Sequence, residues 1–351
     1  MGFEPPTDEE SRPLLARGPG DDRVTLVTGG TGFVGAFLVK ELIESGRRVV
    51  VYDIKDFAPE GKFVLGSMLD DVAVERGSID DPARFNDVVR RYAPTEVVHT
   101  ATIIDPAFLA RDRSSGFRVN VVGTQIVLEA MKLFDIERLI YFSSIGTLPP
   151  KQYEPIDAAH PVLLPTAGPG TGFYGAYKVA GEAMCFAYNQ AFGVDFATIR
   201  PSAVYGLGMN DFPGPIKAMV EGAVRGEPVR FETGGKHPRA YTHAIDVAGV
   251  TLAALERDAG TDRIFFASTG EPLDTTTRVA AIVKELIAGA DIEIGDELSA
   301  AELPVVALRG QLSIENARSQ LGWEPQFGSL KDGIAQYIDQ YGAFVEATRS
   351  S

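Results

Sequence analysis

Two residues four positions apart carry the first chemistry in this chain. Tyr174 and Lys178 stand in the run Phe173-Tyr-Gly-Ala-Tyr-Lys-Val-Ala-Gly-Glu182, a spacing that puts both on one face of a helix. A phenol titrates near ~10, too high for a base at neutral pH. An ammonium about 4 Å away, at an effective dielectric of ~20, is worth roughly 4 kcal/mol, enough to bring a tyrosinate within reach of neutrality. The pair therefore suits proton transfer at a substrate hydroxyl, with Lys178 expected to lower the Tyr174 pKa. A second set lies upstream in Thr28-Gly-Gly-Thr-Gly-Phe-Val-Gly35. Gly30, Gly32 and Gly35 fit G-x-G-x-x-G, and Gly29, Gly32 and Gly35 fit G-x-x-G-x-x-G. Such glycines let the chain turn tightly and bring backbone N–H groups up to a pyrophosphate. Asp53 follows 18 residues after Gly35. A carboxylate there accepts both hydroxyls of an adenosine ribose and repels a 2′-phosphate, which favours NAD, although Lys55 keeps NADP open.

These residues need particular elements to hold them. Val24 to Val27 reads as a buried strand, and Phe33 to Ser45 carries apolar residues at helical spacing up to a stop at Gly46. The first helix N-terminus then faces the phosphates with free N–H donors and the positive end of its dipole. Strands are expected at Arg48 to Tyr52, Thr95 to His99, Arg138 to Phe142, Val194 to Arg200 and Ile264 to Ala267. Helices are expected at Pro82 to Tyr92, Asn120 to Phe134, Tyr174 to Phe192, Pro215 to Arg225, Thr275 to Gly289, Ser313 to Leu321 and Leu330 to Tyr341. Continuous apolar strands alternating with helices call for an α/β fold, a doubly wound parallel sheet covered on both faces. A dinucleotide-binding domain is expected over 23–205, with 239–269 returning to it. Residues 206–238 and 270–351 are expected to form a smaller, mostly C-terminal substrate-binding lobe, with Trp323 in its packing, and 1–22 a disordered tail.

Composition bounds what such a chain can do. Its 351 residues include 33 Lys and Arg against 48 Asp and Glu, a formal net charge of −15. The spread of acidity argues against nucleic acid and against an anionic membrane surface. No apolar run reaches the roughly 20 residues of a bilayer span. One cysteine, Cys185, excludes an internal disulfide and suits a reducing, cytoplasmic setting. His99, His160, His237 and His243 are scattered without ligand spacing, so no metal is expected. His99, at a strand end, reads as a core or cofactor-adjacent residue.

The glycine loop, Tyr174-x-x-x-Lys178 and Arg200-Pro-Ser-Ala-Val-Tyr-Gly206 together resemble the extended short-chain dehydrogenase/reductase family, of the NAD-dependent epimerase/dehydratase type. Gly77-Ser-Ile-Asp80, His99-Thr-Ala101, Val119-Asn-Val-Val-Gly-Thr124, Phe142-Ser-Ser144, Arg239-Ala-Tyr-Thr-His-Ala-Ile-Asp246 and Leu321-Gly-Trp-Glu-Pro325 match in the same order. The resemblance implies a Rossmann fold and an enzyme in which Tyr174 exchanges the substrate hydroxyl proton. Lys178 would lower the Tyr174 pKa and hold the nicotinamide ribose, while Ser144 would hydrogen-bond the reacting oxygen. Strand-end hydrogen bonding is the other reading of Ser143 and Ser144, since Ile145-Gly-Thr-Leu-Pro-Pro150 replaces the family's Val-Tyr-Gly. It places NAD against Gly29, Gly32, Phe33, Val34, Gly35, Asp53, Ser78, Ile79, Thr100, Ala101, Asn120, Tyr174, Lys178 and Pro201. Arg239 matches a diphosphate-binding arginine, with a fold-supporting ion pair to Asp246 as the other reading. A homodimer through the helices Asn120 to Phe134 and Tyr174 to Phe192 is implied as well.

Departures bear on the substrate. Ser78 replaces the acid expected on the adenine side, and Thr100 and Thr102 add two hydroxyls at the nicotinamide end. Ala203 stands where many nucleotide-sugar epimerases carry an Asn that binds the sugar nucleotide, and Gly206-Leu-Gly208 replaces their Gly-Pro-Arg/Gln sequel, which favours a substrate without a nucleotide handle. The expected function is NAD-dependent hydride transfer at a secondary hydroxyl or keto carbon of a sugar or sugar-like small molecule. A nucleotide-sugar 4-epimerase with no net redox is the alternative within this class. A catalytically silent NAD-sensing regulatory protein is the alternative outside it.

Overall fold

The strand β1 (Val24–Thr28) is buried along its whole length, as a strand covered on both faces must be. It is the first element of the computed structural model, which describes residues 23–210, 214–258 and 262–350; the tail expected at 1–22 lies outside them. The chain continues through α1 (Phe33–Glu44), β2 (Arg48–Asp53), α2 (Pro59–Leu65), β3 (Val72–Arg76), α3 (Pro82–Tyr92) and β4 (Glu96–His99). It then runs through α4 (Pro106–Arg111), α5 (Arg113–Phe117), α6 (Gly123–Leu133), β5 (Arg138–Phe142), α7 (Gly172–Phe192) and β6 (Phe196–Pro201). A later strand, Ile264–Ala267, joins β6 at the edge. Among the described residues these form a seven-stranded sheet in the order β3-β2-β1-β4-β5-β6 and then Ile264–Ala267, every pairing parallel.

After β3 the chain returns to the middle of the sheet, so connections leave β1 and β4 towards opposite faces. Such a reversal opens a crevice beyond the carboxyl ends of the strands, where ligands of doubly wound folds bind. One face is covered by α1 and the helix Ala244–Leu255, with Leu38, Leu42, Val247 and Val250 fully buried. The other is covered by α3, α6 and α7, with Phe85, Val88, Leu128 and Cys185 fully buried. Pro82 takes the first position of α3, where its missing N–H is harmless, and Asp81 caps the helix by accepting from Arg84 N.

The helix expected from Asn120 is one part of a longer helical run. From α5 the chain passes through a π turn, Arg118–Val122, directly into α6, and the turn carries Asn120. The helix α2 is seven residues long, too short to show helical periodicity in the sequence. The last helix runs from Leu330 on to Ser350, past Tyr341, where Phe344 packs edge-on against Phe63 at 5.5 Å.

Helices Ile216–Arg225, Thr276–Leu286 and Leu330–Ser350 pack on one another beside a paired couple of short strands, Val229–Phe231 and Ile292–Ile294. Between them the segment Glu315–Leu321 comes back to lie on Ala244–Leu255 and on the edge strand Ile264–Ala267. The Trp323 indole sits over Gly249 of the helix Ala244–Leu255, where a Cβ would lie 3.2 Å from Nε1. Asp246 Oδ1 accepts from Gln326 N at 2.6 Å and fixes the same crossing. No helix of the described residues is long and apolar enough to cross a membrane.

Candidate active site

The glycines of the loop between β1 and α1 are required by contact. Gly29 has φ +72°, and a Cβ on it would lie 2.7 Å from Ala101 N. A Cβ on Gly35 would lie 2.5 Å from Gly30 O, so the helix start presses directly on the loop. Gly32 is the N-cap of α1 without a side-chain cap, and the first turn carries no acid. The first bond of the helix runs from Ala36 N to Gly32 O at 3.0 Å, so the N–H groups of Phe33, Val34 and Gly35 precede it. An uncapped, acid-free helix start behind a glycine cradle fits a pyrophosphate.

Asp53 ends β2 and is tied to this loop. Its Oδ2 accepts from Thr31 N at 3.1 Å and from the Thr31 hydroxyl at 2.7 Å, and its Oδ1 accepts from Ile54 N at 2.7 Å. Next to it, Tyr52 donates to Ser78 O at 2.9 Å, and Gly77 leaves no room for a side chain beside that phenol. The Ser78 hydroxyl is engaged with Asp80 within its own turn. Ile79 is buried below, against Gly123.

At the end of β4, His99 contacts the Thr28 hydroxyl through Nδ1 at 2.7 Å and the Thr124 hydroxyl through Nε2 at 3.1 Å. Burial first, and the Lys178 charge second, push it down to about 3, so it is a neutral core residue. Of the two hydroxyls expected at the nicotinamide end, that of Thr100 is donated to Thr28 O at 2.7 Å. The Thr102 hydroxyl is buried without a partner among the described residues. Asn120 is also buried, and its amide accepts from Ile103 N at 2.8 Å and donates to Ile103 O at 2.9 Å. It therefore fixes the loop that carries Thr100 and Ala101, which accounts for its place in an irregular turn.

The chemistry gathers where β5 ends. Ser144 Oγ accepts from Gly146 N at 2.9 Å, capping the turn Ile145–Thr147, and lies near enough to Tyr174 to favour its ionised form. Its hydrogen bond is the strand-end one, and the phenol lies beside it. Ser143 Oγ is buried without a partner among the described residues. The start of α7 is pressed onto the same turn: Thr171 donates to Gly146 O at 2.9 Å, and a Cβ on Gly175 would lie 2.4 Å from that oxygen.

Lys178 does not act on Tyr174 as its spacing suggested. Its Nζ donates to Phe142 O at 2.6 Å and lies 5.8 Å from the centre of the Tyr174 ring. Burial pushes Lys178 down to about 7, against the pull of Glu182. Burial likewise pushes Tyr174 up to about 12, while the nearby Ser144 hydroxyl pulls the other way. Desolvation outweighs the attraction that the four-residue spacing predicted, so in this ligand-free geometry Tyr174 is a phenol. Glu182 itself is committed to Arg200, which it accepts twice, at 2.8 and 2.6 Å, in a fully buried pair. Pro201 follows at the end of β6, paired with Ala267.

Arg239 stands apart from this group, in a cleft lined by Ala203, Val204, Met209 and Tyr241. It makes no ion pair with Asp246, whose carboxylate is turned to Gln326 and Phe327. Its Nε is buried without a hydrogen-bond partner among the described residues. A second arginine, Arg309, lies within electrostatic reach of it. Arg309 is pushed down to about 10, by burial first and then by the Arg239 charge. His237 is pushed down to about 4 by burial and then by the two arginines. Neither arginine has a carboxylate within ion-pair distance among the described residues; Glu302, which senses Arg239, is held by Ser299 N. Arg309 was not legible in the sequence. It directly precedes the stretch in which Gln311 O accepts from Ile156 N at 2.8 Å, and it lies 70 residues from Arg239 in the sequence.

A doubly wound sheet, a glycine cradle at an uncapped helix, a ribose acid and a Ser-Tyr-Lys set define a dinucleotide-dependent oxidoreductase. The sequence model of the NAD dependent epimerase/dehydratase family matches residues 25–266. A putative UDP-glucose 4-epimerase of Methanocaldococcus jannaschii is 28% identical over 90% of this chain and 97% of its own length. The UDP-glucose 4-epimerase of Mycolicibacterium smegmatis is likewise 28% identical, over the same shares. Among solved structures, Thermus thermophilus UDP-glucose 4-epimerase in complex with NAD superposes with a TM-score of 0.73 at 26% identity, over 91% of this chain and 98% of that one. Thermotoga maritima UDP-glucose 4-epimerase with UDP-glucose, at 23% identity and a TM-score of 0.79 over 92% and 99%, shows the shared fold. The chain belongs to the NAD dependent epimerase/dehydratase family. It is an NAD-dependent enzyme that transfers hydride at a secondary hydroxyl or keto carbon of a small molecule, and not a silent sensor.

Proposed function

We propose that the substrate is a nucleoside-diphosphate sugar and that the reaction is 4-epimerisation without net redox. The pair Arg239 and Arg309 carries this reading. Two arginines within electrostatic reach of each other and without a carboxylate are costly in a protein that has 48 acids available, and a diphosphate would repay that cost with bidentate, charge-assisted bonds. The names of the relatives point the same way. Ala203 and Gly206-Leu-Gly208 argue for a substrate without a nucleotide handle. Those positions remain unlike the usual epimerase pattern, and Arg309 outweighs them.

NAD, when bound, accepts the substrate hydride and returns it. Gly29, Gly32, Gly35 and the start of α1 would hold its pyrophosphate, Asp53 its ribose, and Ala101 and Lys178 its nicotinamide half. Tyr174, a phenol in the ligand-free protein, would first lose its proton to solvent; as tyrosinate it would take the substrate hydroxyl proton when the hydride leaves and give it back when the hydride returns, with Ser144 beside it. Lys178, placed near neutrality by burial, sits where a small change of surroundings decides its charge. The helices packed beside residues 216–225 and 330–350 form the lobe that closes on the sugar in this reading. The exposed Phe117, Leu133, Phe186 and Phe192 support a homodimer through α6 and α7, and the lone cysteine suits the cytoplasm.

The test is incubation of the purified enzyme and NAD with UDP-glucose, UDP-galactose and free sugars, with NADH absorbance and product isomers both recorded. Interconversion of the 4-epimers without NADH accumulation, lost in Tyr174→Phe, is expected. Net NADH from free sugars, with nucleotide sugars untouched, would overturn the substrate class.

A further inference from the structure

The Asp53 carboxylate is more occupied than a ribose acid needs to be. A carboxylate has about four lone-pair sites. Two on Oδ2 are taken by the amide and the hydroxyl of Thr31, at 3.1 and 2.7 Å, and one on Oδ1 is taken by Ile54 N at 2.7 Å. One site on Oδ1 remains, so Asp53 has room for one ribose hydroxyl and not for the two that its position alone suggests. Thr31 lies inside the glycine loop and is 3% exposed, whereas Asp53 is half-buried and Ile54 is 68% exposed. The rigid partner of the acid is therefore the phosphate loop itself.

We propose that Thr31 is a positioning residue for the cofactor's ribose and sets the preference for NAD over NADP through Asp53. The inference rests on the assignment of NAD to this cleft and concerns which residue of the chain orients the acid. Two bonds from one residue stop the carboxylate from turning about its side-chain axis. A held carboxylate presents its remaining lone pair to a hydroxyl and cannot swing aside for a phosphate. Without the hydroxyl of Thr31, a single amide bond is left on Oδ2, and the acid gains the freedom to move away from a 2′-phosphate.

The test is calorimetric titration of NAD and of NADP into the wild type, Thr31→Val and Thr31→Ser, without substrate. Valine keeps the shape and loses the donor, and serine keeps the donor and loses a methyl group. The ratio of NADP to NAD dissociation constants should fall about tenfold in Thr31→Val, the lower end expected for a bond to a charged group. It should stay near the wild-type value in Thr31→Ser. Should the valine variant fail to fold, Thr31→Ala is titrated in its place with the same expectation. An unchanged ratio in the donor-less variant, or equal weakening of both nucleotides, would overturn the proposal. So would tighter NAD binding, which would make the hydroxyl a competitor of the ribose. Loss of all nucleotide binding by the wild type would instead strike at the NAD assignment.

Discussion

Replacing Lys178 with methionine removes a charge that burial already disfavours, so Lys178→Met should stabilise the ligand-free protein at acid pH while abolishing turnover. Lys178 is 3% exposed and is pushed down to about 7 by burial. In the unfolded chain a lysine titrates near ~10.4. Between these values the unfolded state binds more protons than the native state, so native stability rises with pH across that window. Below about pH 7 both states carry the proton and the penalty is complete: about 3.4 pH units at about 1.36 kcal/mol each, or about 5 kcal/mol. By about pH 9 roughly 2 kcal/mol of it is left. Methionine avoids the penalty but leaves Phe142 O without its 2.6 Å donor, a loss of about 1–3 kcal/mol. The variant should therefore be more stable than wild type by about 2–4 kcal/mol near pH 6 and about equal near pH 9. Urea unfolding of both proteins at three pH values measures the gap. A gap that stays constant within about 1 kcal/mol across this range would refute the reasoning, because only the titration of a buried ammonium makes it shrink.

Other outcomes follow from the same geometry. Glu182→Gln should destabilise the fold by about 3–5 kcal/mol, because it strands the fully buried Arg200 guanidinium, and denaturant midpoints will show it. Arg309→Ala should raise KM for a nucleotide sugar about tenfold or more while leaving the NAD dissociation constant unchanged; parallel loss of both would mean that it supports the fold instead. Gly29→Ala should abolish NAD binding with the protein still folded, since its Cβ meets Ala101 N and its φ of +72° suits only glycine, and titration with circular dichroism separates the two effects.

The sheet was legible because its strands are unbroken apolar runs with glycines and prolines at their ends. The strand Arg138–Phe142 and the helix Pro82–Tyr92 keep the limits read from sequence. The glycine loop, Asp53, Ser144 and Tyr174 could be placed for another reason: their positions at strand ends and helix starts depend on local spacing. What depends on burial was not. The expected help from Lys178 to Tyr174 follows from a four-residue spacing, but the outcome follows from how deeply both are buried, which no spacing reveals. The π turn at Arg118–Val122 was hidden because Asn120 leaves helical register in order to hold Ile103, a contact made across a loop. Arg309 was invisible because Arg239 lies 70 residues away in sequence and only the folded chain brings the two charges together.

The return of Glu315–Leu321 and Trp323 to the helix Ala244–Leu255 has a consequence for how the molecule is made. The polypeptide reaches the helix Ile216–Arg225 early, yet that helix waits for Thr276–Leu286 and finally for Leu330–Ser350 before its apolar side is covered. On a ribosome the sheet can assemble once Ile264–Ala267 has emerged, whereas the other group of helices is completed only after Leu330–Ser350 has followed. A chain cut short near Trp323 would keep a whole sheet and an unfinished neighbour, so premature termination should yield a product that still holds the dinucleotide and has lost its means of gripping anything else.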